Sequence, residues 1–282
     1  MNAPLAALTV QQALEGARAQ GLDALDAQRL LLHVLDRSQA GRAWLIAHGG
    51  EALAPAAAQA FDAALRRRRA GEPLAYITGW REFHGLTLQV DARVLDPRPD
   101  TETLVDWALD VLRPTPGARV IDLGTGSGAI ALAIRHARPD TCVHAVDASS
   151  EALAVARANA GRLGLRVQFS QGSWLSQAGG PFDLIVANPP YIASGDPHLA
   201  ALTHEPLAAL ASGADGLADL RLIVAQAPAH LGPGGWLLLE HGWDQAAPTT
   251  ALLAQAGFVD LATRHDLAGH GRCSGGRWPG TA

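Results

Sequence analysis

The chain has 282 residues, 48% of them hydrophobic and 17% charged, with a formal net charge of −5 at pH 7. Domains usually run to roughly 100–200 residues, so this length suits one large domain beside a smaller one, with enough apolar material for a core. The acidic balance excludes a global basic footprint for nucleic acid, and two distant cysteines, Cys142 and Cys273, argue against a disulfide framework or a zinc site and fit a reducing, cytoplasmic compartment.

Met1–Val10 lacks a basic start followed by an apolar run, so no signal peptide is expected. No stretch approaches the roughly 20 uninterrupted apolar residues of a membrane helix. Leu5, Leu8, Ala13 and Leu14 have approximate helical spacing, and Leu25, Arg29, Leu32, His33 and Asp36 suggest a second helix. Gly21 and Gly41 read as breaks, and Pro55 as the opening of a later helix. Residues 1–73 are therefore expected to form a small helical domain, closed by Glu72-Pro73.

From Leu74 the pattern changes. Leu86, Leu88 and Val90 alternate with polar residues, as in a half-buried strand, so 74–97 reads as a hairpin-like linker. Asp96-Pro97-Arg98-Pro99 is a stiff extended piece. Thr101–Leu112 reads as a helix. Strands and helices then alternate: Val120–Leu123, Ala129–Ala137, Val143–Val146, Ser150–Leu163, Val167–Phe169, Leu184–Ala187, Ala218–Ala227 and Gly235–Glu240. Segments Gly257–Arg264 and Cys273–Trp278 suggest a terminal antiparallel hairpin. This alternation predicts an α/β domain over 98–282, a mostly parallel sheet covered by helices.

Asp122-Leu123-Gly124-Thr125-Gly126-Ser127-Gly128 follows a strand and opens a helix. Glycines there let the backbone turn sharply and approach a ligand. The pattern also fits a dinucleotide fingerprint. Asp122 weighs against that reading, because a carboxylate near the loop repels a pyrophosphate. It suits S-adenosylmethionine, which carries an ammonium and a sulfonium. Asp147, ending the next strand, is placed to accept hydrogen bonds from two ribose hydroxyls. No metal is expected.

Asn188-Pro189-Pro190-Tyr191 ends an apolar strand, at the sheet edge where open α/β folds bind ligands. An amide or exocyclic amino nitrogen is a poor nucleophile because its lone pair is delocalised. The Asn188 side-chain oxygen and the Pro189 carbonyl can each accept one N–H, which holds such a group and stabilises charge developing on nitrogen. Paired prolines stiffen the loop, and Tyr191 can pack against the planar group. Asn188, Pro189 and Tyr191 are the expected catalytic residues.

Several further segments carry a resemblance: Pro73–Gly79, Phe83-His84-Gly85-Leu86, Val94–Glu102, Glu205-Pro206, Asp215-Gly216-Leu217 and Glu240-His241-Gly242. With the two motifs above, they resemble the PrmC/HemK family of N5-glutamine methyltransferases that act on peptide chain release factors. The resemblance runs from about Pro73 to the C-terminus and is weak over the first 70 residues. It implies a Rossmann-like class I S-adenosylmethionine-dependent methyltransferase domain, a β-hairpin linker and an N-terminal helical substrate-recognition domain. It also implies methylation of the glutamine in a Gly-Gly-Gln motif, with S-adenosylhomocysteine as product, and neither a membrane nor a nucleic acid as partner.

Carried over by position, Asp122, Gly124, Thr125, Gly126, Ser127, Gly128, Asp147, Trp174 and Asn188 meet the cofactor. Asn188, Pro189, Pro190 and Tyr191 meet the glutamine, with Arg98, Pro99 and Thr101 lining the site. Asp96 departs from the family, which usually has an apolar residue there; it is expected either to disturb packing or to face solvent. Three other readings stay open: a ribosomal-protein glutamine as acceptor, adenine-N6 methylation, and a non-catalytic cofactor-binding module. Arg66–Arg69 reads either as a solvated helix end or as a contact for an acidic partner or RNA. His241 reads as structural, and Glu205 as the start of a helix or part of the site.

Overall fold

A computed structural model of the protein describes residues 8–280, so Leu5 of the first expected helix lies outside the described residues. The chain divides into two compact units, Met1–Gly79 and Trp80–Ala282.

The first unit is helical: α1 (Val10–Ala19), α2 (Ala24–Val34), α3 (Arg42–Ala47), α4 (Pro55–Arg69) and α5 (Leu74–Thr78). Thr9 opens α1 through a reciprocal capping box with Gln12, and the Asp23 carboxylate accepts from the first N–H groups of α2. Pro55 occupies the first turn of α4, where its missing N–H costs nothing. Leu30, Leu31, Phe61, Leu65 and Ile77 form the centre of this unit's core. The arginine run at the end of α4 is engaged inside the unit. Arg66 pairs with Asp62, Arg67 with Glu72 at 2.5 Å, Arg68 with Asp26 at 2.7 Å, and Arg69 donates to Gln20 at 3.1 Å.

The segment expected to be a hairpin from residue 74 begins instead with helix α5, ended by Gly79 in the left-handed conformation. Ala75, Tyr76 and Ile77 are buried, and packing of so short a helix outweighs its local signal. The hairpin proper is β1 (Trp80–Phe83) and β2 (Leu86–Gln89), joined through His84 and Gly85, both at positive φ. A 3-10 turn over Pro99–Thr101 leads into α6 (Glu102–Leu112).

The remaining elements are β3 (Arg119–Leu123), α7 (Ala129–Ala137), β4 (Cys142–Asp147), α8 (Ser150–Leu163), β5 (Gln168–Gln171), β6 (Phe182–Ala187), α9 (Ala218–Gln226), β7 (Leu231–Glu240), α10 (Ala246–Gln255), β8 (Val259–His265) and β9 (Gly271–Arg277). Among the described residues the strands form one seven-stranded sheet in the order β5-β4-β3-β6-β7-β9-β8. The first five in that order are parallel, and β9 runs antiparallel to both neighbours. Helix α10 has no counterpart in the sequence reading, because Pro248 in its first turn and two threonines hide the periodicity.

The register positions the site. Leu123 pairs with both Val146 and Ala187, and Ala187 pairs with Leu239. The next residues of these four strands, Gly124, Asp147, Asn188 and Glu240, therefore stand in one row along the carboxyl edge. The connections that leave the neighbouring strands β3 and β6 run in opposite directions there, to β4 and to β7, which is where open α/β sheets hold their ligands. Beneath the row, Ile121, Leu123, Ile185, Ala187, Leu237 and Leu239 form a rigid apolar floor.

Candidate active site

The loop after β3 is braced by its own sheet. The N–H groups of Gly124 and Thr125 donate to the Val146 carbonyl at 2.8 and 3.0 Å, and that of Gly128 donates to the Thr125 carbonyl at 2.8 Å. The Gly126 N–H donates to Asp147 Oδ2 at 2.8 Å, and the Ser149 N–H to Asp147 Oδ1 at 2.9 Å. With these donors engaged, the loop is poorly equipped to wrap a pyrophosphate. Gly124 has φ +70, and a Cβ there would stand 3.2 Å from the Trp174 ring. The indole thus closes down on bare backbone. Its N–H donates to Asp219 Oδ1 at 3.2 Å, and Asp219 also accepts from the Ser212 hydroxyl at 2.7 Å.

Asp122 lies beneath the loop, fully buried. Its Oδ2 accepts from the Thr125 hydroxyl at 2.6 Å and the Ala131 N–H at 3.2 Å. Its Oδ1 has no hydrogen-bond partner among the described residues. Burial pushes its pKa up to about 7, against the pull of Thr125 and the Ala131 N–H. Holding a carboxyl at about 7 instead of 3.8 corresponds to about 4 kcal/mol against its charged form. A folded pKa above the unfolded one stabilises below the unfolded value, and that stability is lost as pH rises through the folded value. Asp122→Asn should therefore gain thermal stability over wild type progressively from about pH 4 to pH 7. His144 and His241, whose pKa values burial lowers, act in the opposite direction but equally in both proteins. Melting curves of the two at matched pH values check this; a constant difference in Tm would remove the account.

The other half of the candidate site is built on the end of β6. The Asn188 amide nitrogen donates to Thr101 Oγ1 at 3.2 Å, so this bond engages the nitrogen end of the amide and not its oxygen. Pro189 and Pro190 are buried. The Tyr191 carbonyl accepts from Gln245 Nε2 at 3.0 Å, and burial pushes the phenol's pKa above its usual value, so the ring stays neutral. Gly216, at φ +74, passes so close that a Cβ would lie 2.3 Å from the Tyr191 carbonyl oxygen.

A cleft of about 150 Å³ opens beside these residues, lined by Leu95, Arg98, Asn188, Tyr191, Ile192, Leu202, Ala209 and Leu210. Of the residues expected to line the site from the linker, Arg98 reaches this cleft. Thr101 is buried behind Asn188, and Pro99 opens the 3-10 turn at the surface. Arg98 is held by Glu205 at 2.5 Å. Glu205 also accepts from the Asp96 N–H at 3.2 Å, tying the loop over 197–212 to the segment before α6. Asp96 does not face solvent. It is buried, 3.4 Å from Arg81 and 3.9 Å from Arg98, and burial raises its pKa despite both cations. The sequence reading could not foresee this, since the compensating arginines lie on other segments.

His241 is structural: its ring nitrogens meet the Gly242 carbonyl and the Ser274 hydroxyl, both at 2.8 Å. Asp219, Gln245 and Glu240 were not anticipated as parts of the site. Of these, only Glu240 carried a signal, in the Glu240-His241-Gly242 motif. Among the described residues no group of His, Cys, Asp and Glu has metal-holding geometry, and no helix is long and apolar enough to cross a membrane.

Comparison with known proteins follows the two units. Residues 9–79 match the PrmC N-terminal domain, and residues 101–218 match the methyltransferase small domain. The chain is 50% identical to a release factor glutamine methyltransferase of Xylella fastidiosa, over 95% of this chain and 98% of that one. It is 50% identical to one of Bordetella pertussis, over 91% and 95% of the two chains. It is 44% identical to one of Vibrio cholerae, over 96% and 97%. Among solved structures, a Pyrococcus furiosus methyltransferase aligns with TM-score 0.53 and 18% identity, over 78% of this chain and 98% of that one. A T. thermophilus 16S rRNA N2 G1207 methyltransferase in complex with AdoMet and guanosine aligns with TM-score 0.53 and 21% identity, over 70% and 49%. These two likenesses concern the fold.

Proposed function

The chain belongs to the family of release factor glutamine methyltransferases, and we propose that it methylates the side-chain amide nitrogen of the glutamine in a release factor's Gly-Gly-Gln motif, using S-adenosylmethionine. The observation that carries this reading is the row at the sheet edge. It sets the glycine cradle and Asp147 beside an asparagine that lines the cleft and whose amide nitrogen is engaged by Thr101. Bound S-adenosylmethionine supplies an electrophilic methyl group on a sulfonium. The backbone of Gly124–Gly128, the Asp147 carboxylate, the Trp174 ring and Asn188 would hold it. The residues fit such a group: Gly124 leaves backbone bare beneath an indole, and buried Asp122 keeps one carboxyl oxygen without a partner among the described residues under the loop. Thr125 and Ser127 hold the loop's shape from within.

Asn188 Oδ1 and the Pro189 carbonyl each accept one N–H of the glutamine amide. This presents the nitrogen's face and opposes the positive charge that grows there. Pro190 stiffens the loop, and Tyr191, neutral through burial, acts as an aromatic wall rather than as a base. The amide proton leaves to solvent after transfer. Arg98 and Pro99 frame the entrance to the acceptor cleft, and Thr101 supports Asn188 from behind. We assign recognition of the release factor's body to the first unit, since every residue named in the chemistry belongs to the second.

Asp147→Ala should weaken S-adenosylmethionine binding about 100-fold, the loss of charge-assisted bonds worth roughly 1.5–3 kcal/mol each. Titration calorimetry with an unchanged Kd would sink the ribose role. The proposal as a whole is tested with labelled S-adenosylmethionine. Purified release factor, ribosomal proteins and DNA are offered in parallel, and the product is mapped by mass. One methyl on the Gly-Gly-Gln glutamine is the expected result. Label on a ribosomal protein or on adenine instead would replace the substrate.

A further inference from the structure

Glu240 ends β7 in the row that holds Asn188, one strand away. It is fully buried, neither carboxylate oxygen makes a hydrogen bond of good geometry among the described residues, and the side chains of Thr101 and Asn188 are the hydrogen-bonding groups set against it. A carboxylate in that state is costly, and removing the cost would take only an apolar substitution. The groups that face it are Thr101 and Asp100 from the 3-10 turn, Asn188 and Tyr191 from the loop after β6, and Arg272 and Cys273 from β9. The cation is committed elsewhere: Arg272 stands 3.0 Å from Asp266 and 3.3 Å from Asp100. Of these groups, Thr101 and Asn188 are the ones placed to hydrogen-bond Glu240. Thr101 Oγ1 already accepts from Asn188, so its own proton is available to donate.

We propose that Glu240 is a positioning residue for the methyl transfer: its carboxylate accepts from Thr101 and Asn188, and so fixes which end of the Asn188 amide faces the substrate. This rests on the reading of Asn188 as the acceptor of a substrate N–H. An asparagine amide turned over by 180° occupies the same space but exchanges an acceptor for a donor. The turned-over form would present NH2 to the glutamine NH2, which is useless, and would set its oxygen against the Glu240 carboxylate. Ionised Glu240 excludes that form. Protonated Glu240 can donate to the turned-over oxygen and so tolerates it. Burial holds the Glu240 carboxyl at about 7, with Thr101 and Arg272 drawing it down less than burial raises it. Turnover should therefore rise with pH across neutrality.

The test compares Glu240→Gln with wild type and with Asn188→Ala, with release factor as substrate. Glutamine matches the shape of glutamate but tolerates both orientations of Asn188. Turnover at saturating substrate is expected to fall at least tenfold, with the KM for release factor and the Kd for S-adenosylmethionine within threefold of wild type. The neutral-range rise of turnover with pH should vanish, and Tm should not fall. Turnover within twofold of wild type overturns the proposal. So does a pH rise that persists in the variant, or a loss of turnover accompanied by an equal loss of cofactor affinity. If Glu240→Gln does not yield folded protein, Thr101→Val takes its place with the same expected split between kcat and KM, and an unchanged kcat there overturns the proposal too. Asn188→Ala separates the two levels. Full turnover by that variant ends the acceptor reading itself, whereas an inactive Asn188→Ala beside a fully active Glu240→Gln ends only the role of Glu240.

Discussion

Asn188→Ala should lose turnover by at least about 10²–10³-fold, the range seen when a single preorganised group facing transition-state charge is removed. Its affinity for S-adenosylmethionine should fall by no more than a few-fold, because the cradle and Asp147 are braced independently of Asn188. The side chain is half-buried, ends a strand whose floor is rigid, and holds its amide through Thr101. Truncation therefore leaves a small polar gap without disturbing the sheet. Single-turnover kinetics with saturating cofactor separate the effects. Normal methylation by this variant would take away the proposed mechanism, whereas loss of cofactor binding in proportion to activity would move Asn188 from the acceptor side to the cradle.

The second large effect is expected from a residue that touches no substrate. Gly216→Ala should lower Tm by roughly 5–15 °C, with a 10-fold or greater loss of activity. Two costs combine. An L-residue at φ +74 is strained by about 1–2 kcal/mol. A Cβ 2.3 Å from the Tyr191 carbonyl oxygen and 2.7 Å from Gln245 Nε2 must also displace the acceptor loop. Overpacking of this kind costs about 1–3 kcal/mol, and each kcal/mol is worth roughly 2–4 °C in a chain of this size. The Gln245 to Tyr191 hydrogen bond is the first casualty. Thermal melts together with initial rates decide the matter; wild-type values of both would mean that the loop yields at no cost.

The glycine cradle, Asp147 and Asn188-Pro189-Pro190-Tyr191 are contiguous motifs, and each follows an apolar run that marks a buried parallel strand. Their order along the chain and their places at strand ends were therefore legible at once, as were most helices and strands. Failures occurred where local signal was weak. Helix α5 is held by burial of Ala75, Tyr76 and Ile77, and α10 is obscured by Pro248.

What the amino-acid order determined alone was the α/β class, the glycine-rich turn after β3 and the Asn-Pro-Pro-Tyr turn after β6, because each follows from residues within a few positions of one another. Only the tertiary structure decided which distant groups complete them. Glu205 neutralises Arg98 from 107 residues away, Thr101 orients Asn188 from 87 residues away, and Asp96 is made tolerable by Arg81 and Arg98. Glu240 comes beside Asn188 through strand register alone. Buried charge and buried hydrogen bonding depend on what the fold brings within about 3–4 Å, and no window of sequence contains that information.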